Sequence, residues 1–518
     1  MNKPAFHPHD KSFVEEKLRL LPKIFRKKIL PEYISVFTKK GRTEANTYLL
    51  DMEQRVEAAV VHRLSLNALN MSECDLKKLA SLKAKKCIEI WQSIKSEELE
   101  PPYKRILSYI QRHGIEPSFI REDPTDNDYK SLIRRSLEPS WWLRNLRKVQ
   151  SRDIEITARA LNLVSKRKDI YVSSVNVNRR RRQIKEHQAY LENMVATNEL
   201  GEQLTLSDLK ETSTSNPTNR KAEFMVRARG FENIAKQHGH TAIFITMTCP
   251  SKYHRAYSQS GDPTPNWNGS TPIDGQAYLS QTWSRIRASL DRSKIFPYGF
   301  RIAEPHHDGT PHWHLLLFVP PEDKTALLET INRYCFEEDG DEKGAAEYRI
   351  EIVDIDPKKG SATSYISKYI SKNIDGKDLD SGIYGEDPIV AAERVKTWAS
   401  VWSIRQFQQI GGAPVSIWRE LRRLEAVEEA GSDLEQARAS SDNSDWAGYQ
   451  DSNGGVICPR KDRPLQLVYE NDMDIITGEL RQNQYEELSA PRIYGIKHGG
   501  TVVNTRPHTW KISKALKD

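Results

Sequence analysis

Cysteine is scarce: Cys74, Cys87, Cys249, Cys335 and Cys458 are the five in 518 residues, and no two form a CxxC pair. That spacing excludes a zinc-finger or disulfide framework and points to a reducing interior. Long apolar runs are missing too. No stretch approaches the roughly 20 residues of a membrane helix, and the opening MNKPAFHPHDKSF lacks an apolar signal core. The expectation is a soluble, cytoplasmic protein with no membrane partner. There is no internal repeat and no GxxxxGK[ST] motif, so nothing suggests ATP hydrolysis. Neither sign of charge dominates, since 78 Lys and Arg against 71 Asp and Glu leave a net +7. With a pI near 8.9, this modest excess is compatible with a polyanionic partner.

What is present supports real cores. The chain is 37% hydrophobic and 29% charged, and its length leaves room for roughly two to four domains. Residues 1–215 read as a mainly helical, basic region, because KSFVEEKLRLLPKIFRKKIL, ANTYLLDMEQRVEAAVVHRLSL and DLKKLASLKAKKCIEIWQSI carry apolar positions at helical spacing. Arg179 to Arg182, with Trp141, Trp142, Arg144 and Arg147, offer charge and stacking surfaces suited to DNA. A solvated charge run beside core tryptophans fits the same residues. The polar stretch 210–220 reads as a linker or surface loop.

From 221 to 424 the pattern becomes β-α-β-β-α-β: TAIFITMT, AYLSQTWSRIRASLDRS, YGFRIAE, HWHLLLFV, EDKTALLETINRYCF and EYRIEIVDI, followed by the helix SATSYISKYISKNI. This split βαβ order predicts an α+β domain with an antiparallel-rich sheet and flanking helices on one face. Residues 425–455 are acidic, rich in Ser, Asp and Gly and poor in aliphatics, and read as a flexible linker. Residues 456–518 show a few strand-like pieces and no motif that assigns them a role.

Within PHWHLLLF (311–318), His312 and His314 share one face of a strand that is apolar on both sides. Two imidazoles there are costly unless their nitrogens are used. The preceding HHDGT predicts a three-residue loop, His307-Asp308-Gly309, with Gly309 at the left-handed position. That register sets Glu304 opposite His312, whereas a two-residue turn would set it opposite Trp313. In the first register Glu304, His312 and His314 offer two nitrogens and a hard oxygen, a set that suits Mg²⁺ or Mn²⁺ engaging phosphate. His306 and His307 read as exposed turn residues. In SYISKYISKN, Tyr365 and Tyr369 fall four residues apart on one helix face with Lys368 and Lys372, while Ile366, Ile370 and Ile374 form the docking stripe. A phenol beside ammonium groups and a metal-polarised phosphate can attack phosphorus and form a phosphotyrosine ester.

Hairpin and helix together resemble the HUH endonucleases, and most of all the bacteriophage replication gene A proteins, rolling-circle initiators with two tyrosines. TAIFITMTCPSKYH, RIAEPHHDGTPHWHLLLF and YISKYISKN carry the resemblance, which extends over roughly residues 130–424 through PSWWLRNLRK, YVSSVNVNRRRRQ and WASVWSIRQFQQIGGAPVSIWRELRRL. It implies metal ligation by His312 and His314 and nucleophilic roles for Tyr365 and Tyr369. Glu304 as third ligand rests on the hairpin register, and the shared helix face makes Lys368 and Lys372 the expected charge stabilisers. The implied activity is a metal-dependent endonuclease and ligase that starts rolling-circle replication of a phage or prophage in a bacterial cytoplasm. It would act on single-stranded origin DNA with a host helicase and replication machinery. A two-tyrosine transposase or relaxase is the sister reading, although relaxases typically place their tyrosine before the histidines. A non-catalytic origin-binding protein is the contrasting one.

Overall fold

The computed structural model describes residues 8–60, 66–94, 98–117, 121–356, 358, 360–377, 379–426, 433–473 and 480–515. Parts of the sequence readings at 61–65 and 427–432, and the last residues 516–518, lie outside these. Among the described residues no helix is long and apolar enough to cross a membrane. The chain divides into two compact units. The first comprises Met1–Val164, Ser173–Asn176 and Asn471–Ala490, and the second holds the rest. The helical expectation for 1–215 is therefore split between them, and a piece of the C-terminal region belongs to the first.

The first unit is helical, from Pro8–Leu20 to Pro139–Ala160. Polar residues set the helix starts: Ser72 with Asp75, and Thr125 with Asp128, form capping boxes that satisfy backbone N–H groups left over at each N-terminus. Trp141 and Trp142 do not offer stacking surfaces. They are buried with Leu146, Val149, Ile106 and Ile110, because the helix Pro139–Ala160 turns its apolar face inward. Arg147 Nε donates to Glu73 at 3.1 Å and Arg144 to the Tyr485 hydroxyl at 3.3 Å, so both cations already have partners. Arg180 to Arg182 are exposed on the helix Ser174–Glu192, with Arg181 paired to Glu393.

The second unit is built on a five-stranded antiparallel sheet. Its order is Ile350–Asp354, Thr241–Thr248, Pro311–Val319, Tyr298–Pro305 and Phe407–Ile410. All nine residues of Pro311–Val319 are buried. A central strand apolar on both faces needs cover on both, and the helices accordingly lie on two faces rather than one. Tyr298, Phe300, Leu316 and Phe318 share a core with Phe231, Ile366 and Ile370 of the helices Pro217–His238 and Ala362–Ile374. On the other face Trp313 Nε1 donates to Gln276 Oε1 at 3.0 Å, and the helix Pro272–Arg292 buries Leu279, Trp283 and Ile286. The short edge strand Phe407–Ile410 carries no sequence signal of its own. The stretch 210–220 is mostly helix: Leu206–Thr212 and Pro217–His238 leave only four residues between them, and Asn216 caps the second.

The acidic stretch is a folded part of this unit, not a linker. Its described residues form the helices Asp433–Asp442 and Trp446–Ser452. Trp446, Tyr449, Leu434 and Ala437 enter the main core, and Trp446 lies so close to Gly230 that no Cβ would fit there. A few large side chains suffice to dock a segment whose average composition is polar. Trp446→Ala is expected to destabilise the protein by about 3–5 kcal/mol, the usual cost of emptying a buried tryptophan site, read from denaturant unfolding. A change below about 1 kcal/mol would restore the linker reading. Beyond this, Leu465–Glu470, Arg492–His498 and Thr501–Asn504 form a second sheet, and Trp510–Lys514 pairs with Met194–Asn198 in a third.

Candidate metal and tyrosine site

The hairpin turn has the three-residue geometry. His306 N–H donates to Thr310 O at 2.7 Å, and Gly309 takes φ +85°, a left-handed conformation that glycine adopts without Cβ strain. Gly309 also has to be small, since a Cβ would come within 3.0 Å of the Tyr171 carbonyl. The resulting register pairs Glu304 with His312 and Ile302 with His314.

Glu304, His312 and His314 are thereby brought together and buried, each offering a ligand atom within 4.8 Å of the others. The two Nε2 atoms are 2.9 Å apart, and Glu304 Oε2 lies 4.0 Å from His312 Nε2 and 3.7 Å from His314 Nε2. Two neighbouring ligands of an octahedral Mg²⁺, each about 2.1 Å from the ion, stand about 3 Å apart, so the imidazole pair fits such an ion. Thr246 Oγ1 is 3.1 Å from His314 Nδ1, which fixes the ring so that Nε2 faces the carboxylate. Burial holds His312 well below the usual histidine range, leaving it neutral as a ligand must be. Glu304 is the opposite case. Burial opposes its charge, but the Lys372 ammonium and the His314 ring outweigh that and pull the carboxyl down to about 2.

The tyrosine helix Ala362–Ile374 docks through Ile366, Ile370 and Ile374, all buried, and sends its other residues to different places. The Tyr369 ring packs 4.1 Å from the His314 ring and 5.0 Å from Phe244. Tyr365 is 41% exposed, its ring 5.1 Å from Phe244. Burial pushes the Tyr369 phenol above its ordinary value, so it is protonated at neutral pH. Lys368 is exposed, with Nζ 5.6 Å from the Tyr369 ring. Lys372, expected beside it to stabilise phosphate charge, is instead buried and donates to Glu304 Oε2 at 2.6 Å, because one further turn carries it over the sheet.

His306 and His307 are not exposed turn residues. His307 is buried and His306 half-buried, its ring tilted against that of His312 with centres 4.1 Å apart, because the chain around Tyr171 covers the turn and Tyr171 N–H donates to His307 O at 3.1 Å. Several contributors went unread in the sequence. Asn373 donates to the other Glu304 oxygen and, at 2.7 Å, to the Tyr369 carbonyl, while Gln406 holds the Asn373 amide oxygen at 2.9 Å. Asp308 accepts the N–H groups of Thr310 and Arg255 at 3.0 and 2.7 Å and locks the turn. Asn373 closes the tyrosine motif and Asp308 lies in the predicted loop, so position hinted at both. Thr246 and Gln406 lie in stretches of the resemblance as well, but nothing in their residue type assigned them a role.

A family model described as bacteriophage replication gene A protein (GPA) matches residues 70–377, a stretch that contains Glu304, His312, His314, Tyr365 and Tyr369. The chain belongs to that family. Among similar proteins, the replication protein of Haemophilus phage HP1 is 38% identical over 395 residues, 75% of this chain and 49% of its own length. The replication gene A protein of Escherichia phage 186 is also 38% identical, over 75% of this chain and 56% of its own. The probable replication protein P12 of Pseudoalteromonas phage PM2 is 32% identical over 99% of this chain and 84% of its own. The chain thus spans about half the length of the HP1 and 186 proteins and most of the PM2 protein. No solved structure matches it.

Proposed function

We propose that this chain is a site-specific, single-strand DNA endonuclease and ligase of HUH type that initiates rolling-circle replication of a phage or prophage. The observation that carries the reading is the buried Glu304–His312–His314 group with Tyr369 packed on His314. Mg²⁺ or Mn²⁺ held by these three residues would draw charge from the oxygens of a bound phosphodiester. Tyr369 or Tyr365 then attacks phosphorus through its phenolic oxygen, the bond from phosphorus to the 3′ oxygen breaks, and the phenol proton is given up as the leaving oxygen gains one. The product is a 5′-phosphotyrosine ester and a free 3′-OH. One phosphoester replaces another, so the 3′-OH can later reverse the step and close a circle. Two tyrosines on one helix allow two successive transfers. Names given to similar proteins, including the probable replication endonuclease of a Salmonella typhi prophage-like region, 33% identical, support the same reading. The partners proposed are single-stranded origin DNA and a host helicase with its replication machinery, met in the bacterial cytoplasm.

The test is a denaturing gel. Origin DNA of the element, end-labelled on the side that stays with the 5′ phosphate, is incubated with protein and Mn²⁺. The reading expects label to migrate with the protein and to be released by protease. Folded, DNA-bound protein that never retains label would contradict it.

A further inference from the structure

We infer that Lys372 is a resident counter-ion for Glu304, one that an incoming divalent cation must displace, so that Lys372 sets how tightly this site takes its metal. The inference rests on the metal-site reading above and goes beyond it. Glu304 is fully buried, and a buried carboxylate without a cation is strongly disfavoured. Lys372, itself only 4% exposed, supplies that cation at 2.6 Å. It takes hold of Oε2, the same oxygen that stands 3.7 and 4.0 Å from the two imidazole nitrogens. Ammonium and metal therefore compete for one atom. In a buried site their repulsion is poorly screened.

The ammonium also lies near an aromatic ring. Lys372 Nζ lies 5.6 Å from the centre of the Tyr171 ring, a cation–π contact. Tyr171 is fully buried, donates its hydroxyl to Glu386 Oε1 at 2.8 Å, and has φ +68°, a left-handed backbone that is uncommon for a bulky residue. Such conformations persist where surrounding contacts over-determine them. Lys372, beside Tyr171, balances the charge of Glu304. Displacement by metal would release a cation on the helix that bears both tyrosines, where a DNA phosphate can use it.

The experiment is Mn²⁺ titration calorimetry on the full chain, comparing wild type, Lys372→Met, Lys372→Arg and His312→Ala. In parallel, lysine acetylation of the wild type is mapped by mass spectrometry with and without Mn²⁺. Lys372→Met is expected to bind Mn²⁺ at least about tenfold tighter than wild type, and Lys372→Arg no tighter. His312→Ala should not bind, and Mn²⁺ should raise acetylation at Lys372 selectively. If Lys372→Met fails to fold, the wild-type acetylation decides. Equal or weaker binding by Lys372→Met, or acetylation at Lys372 unchanged by bound Mn²⁺, overturns the counter-ion role while the metal site stands. Absence of Mn²⁺ binding by both wild type and Lys372→Met overturns the metal site and this inference together.

Discussion

His312→Ala and His314→Ala proteins are expected to lose nicking by more than about a hundredfold while holding single-stranded DNA nearly as tightly as the wild type. Each substitution removes one of the two nitrogens that stand 2.9 Å apart, and a remaining imidazole with one carboxylate is a much poorer site. Outer contacts to metal-ligating histidines already cost about 10–100-fold when removed, so loss of a ligand itself should exceed that. Affinity for DNA should survive because it comes mainly from Lys and Arg contacts to phosphates, and the exposed Arg180 to Arg182 lie on another element. Thr246→Val gives the graded case. It removes only the hydroxyl 3.1 Å from His314 Nδ1 and should land between wild type and the alanine proteins. Nicking and binding assays on the same preparations check all three. Normal nicking by either histidine variant would end the metal-site reading.

The tyrosine pair should show a different signature. Tyr365→Phe and Tyr369→Phe remove only the attacking oxygens, and no hydrogen bond among the described residues holds either hydroxyl, so folding should be unaffected. Tyr369 packs against His314, whereas Tyr365 stands a turn further out and is 41% exposed. Reaction rates are steep in such placement, with a 1 Å error able to cost about a hundredfold. Tyr369→Phe is therefore expected to slow first cleavage at least about tenfold, and Tyr365→Phe much less. Both single variants should fail at the second transfer and accumulate adduct instead of closed circles. The double variant should form no adduct at all. A Tyr365→Phe protein that released circles normally would reduce the mechanism to one tyrosine.

Much of the site was legible because its determinants are local. Strand parity puts His312 and His314 on one face, and the three-residue loop His307-Asp308-Gly309 sets the register that brings Glu304 opposite His312. The isoleucine stripe of the tyrosine helix is likewise a local periodicity. What escaped the sequence depends on segments far apart in the chain. His307 is covered by residues near Tyr171, more than a hundred positions upstream, and the ion pair of Lys372 with Glu304 joins a helix to a strand 68 residues away. Trp141 and Trp142 looked as well suited to stacking on bases as to packing, and only the helix's inward face decided it. The stretch 433–455 was misread because composition averages hide a docking Trp446 among many polar residues.

The most direct test of the account is to identify the amino acid that carries DNA. Wild-type protein is reacted with origin DNA and Mn²⁺, digested with nuclease and protease, and the modified peptide is sequenced by mass spectrometry. The account predicts a nucleotide joined through a 5′ phosphate to Tyr369 or Tyr365 in the peptide spanning residues 365–373. A nucleotide on any other residue, or adduct that persists in the Tyr365→Phe/Tyr369→Phe protein, would contradict it.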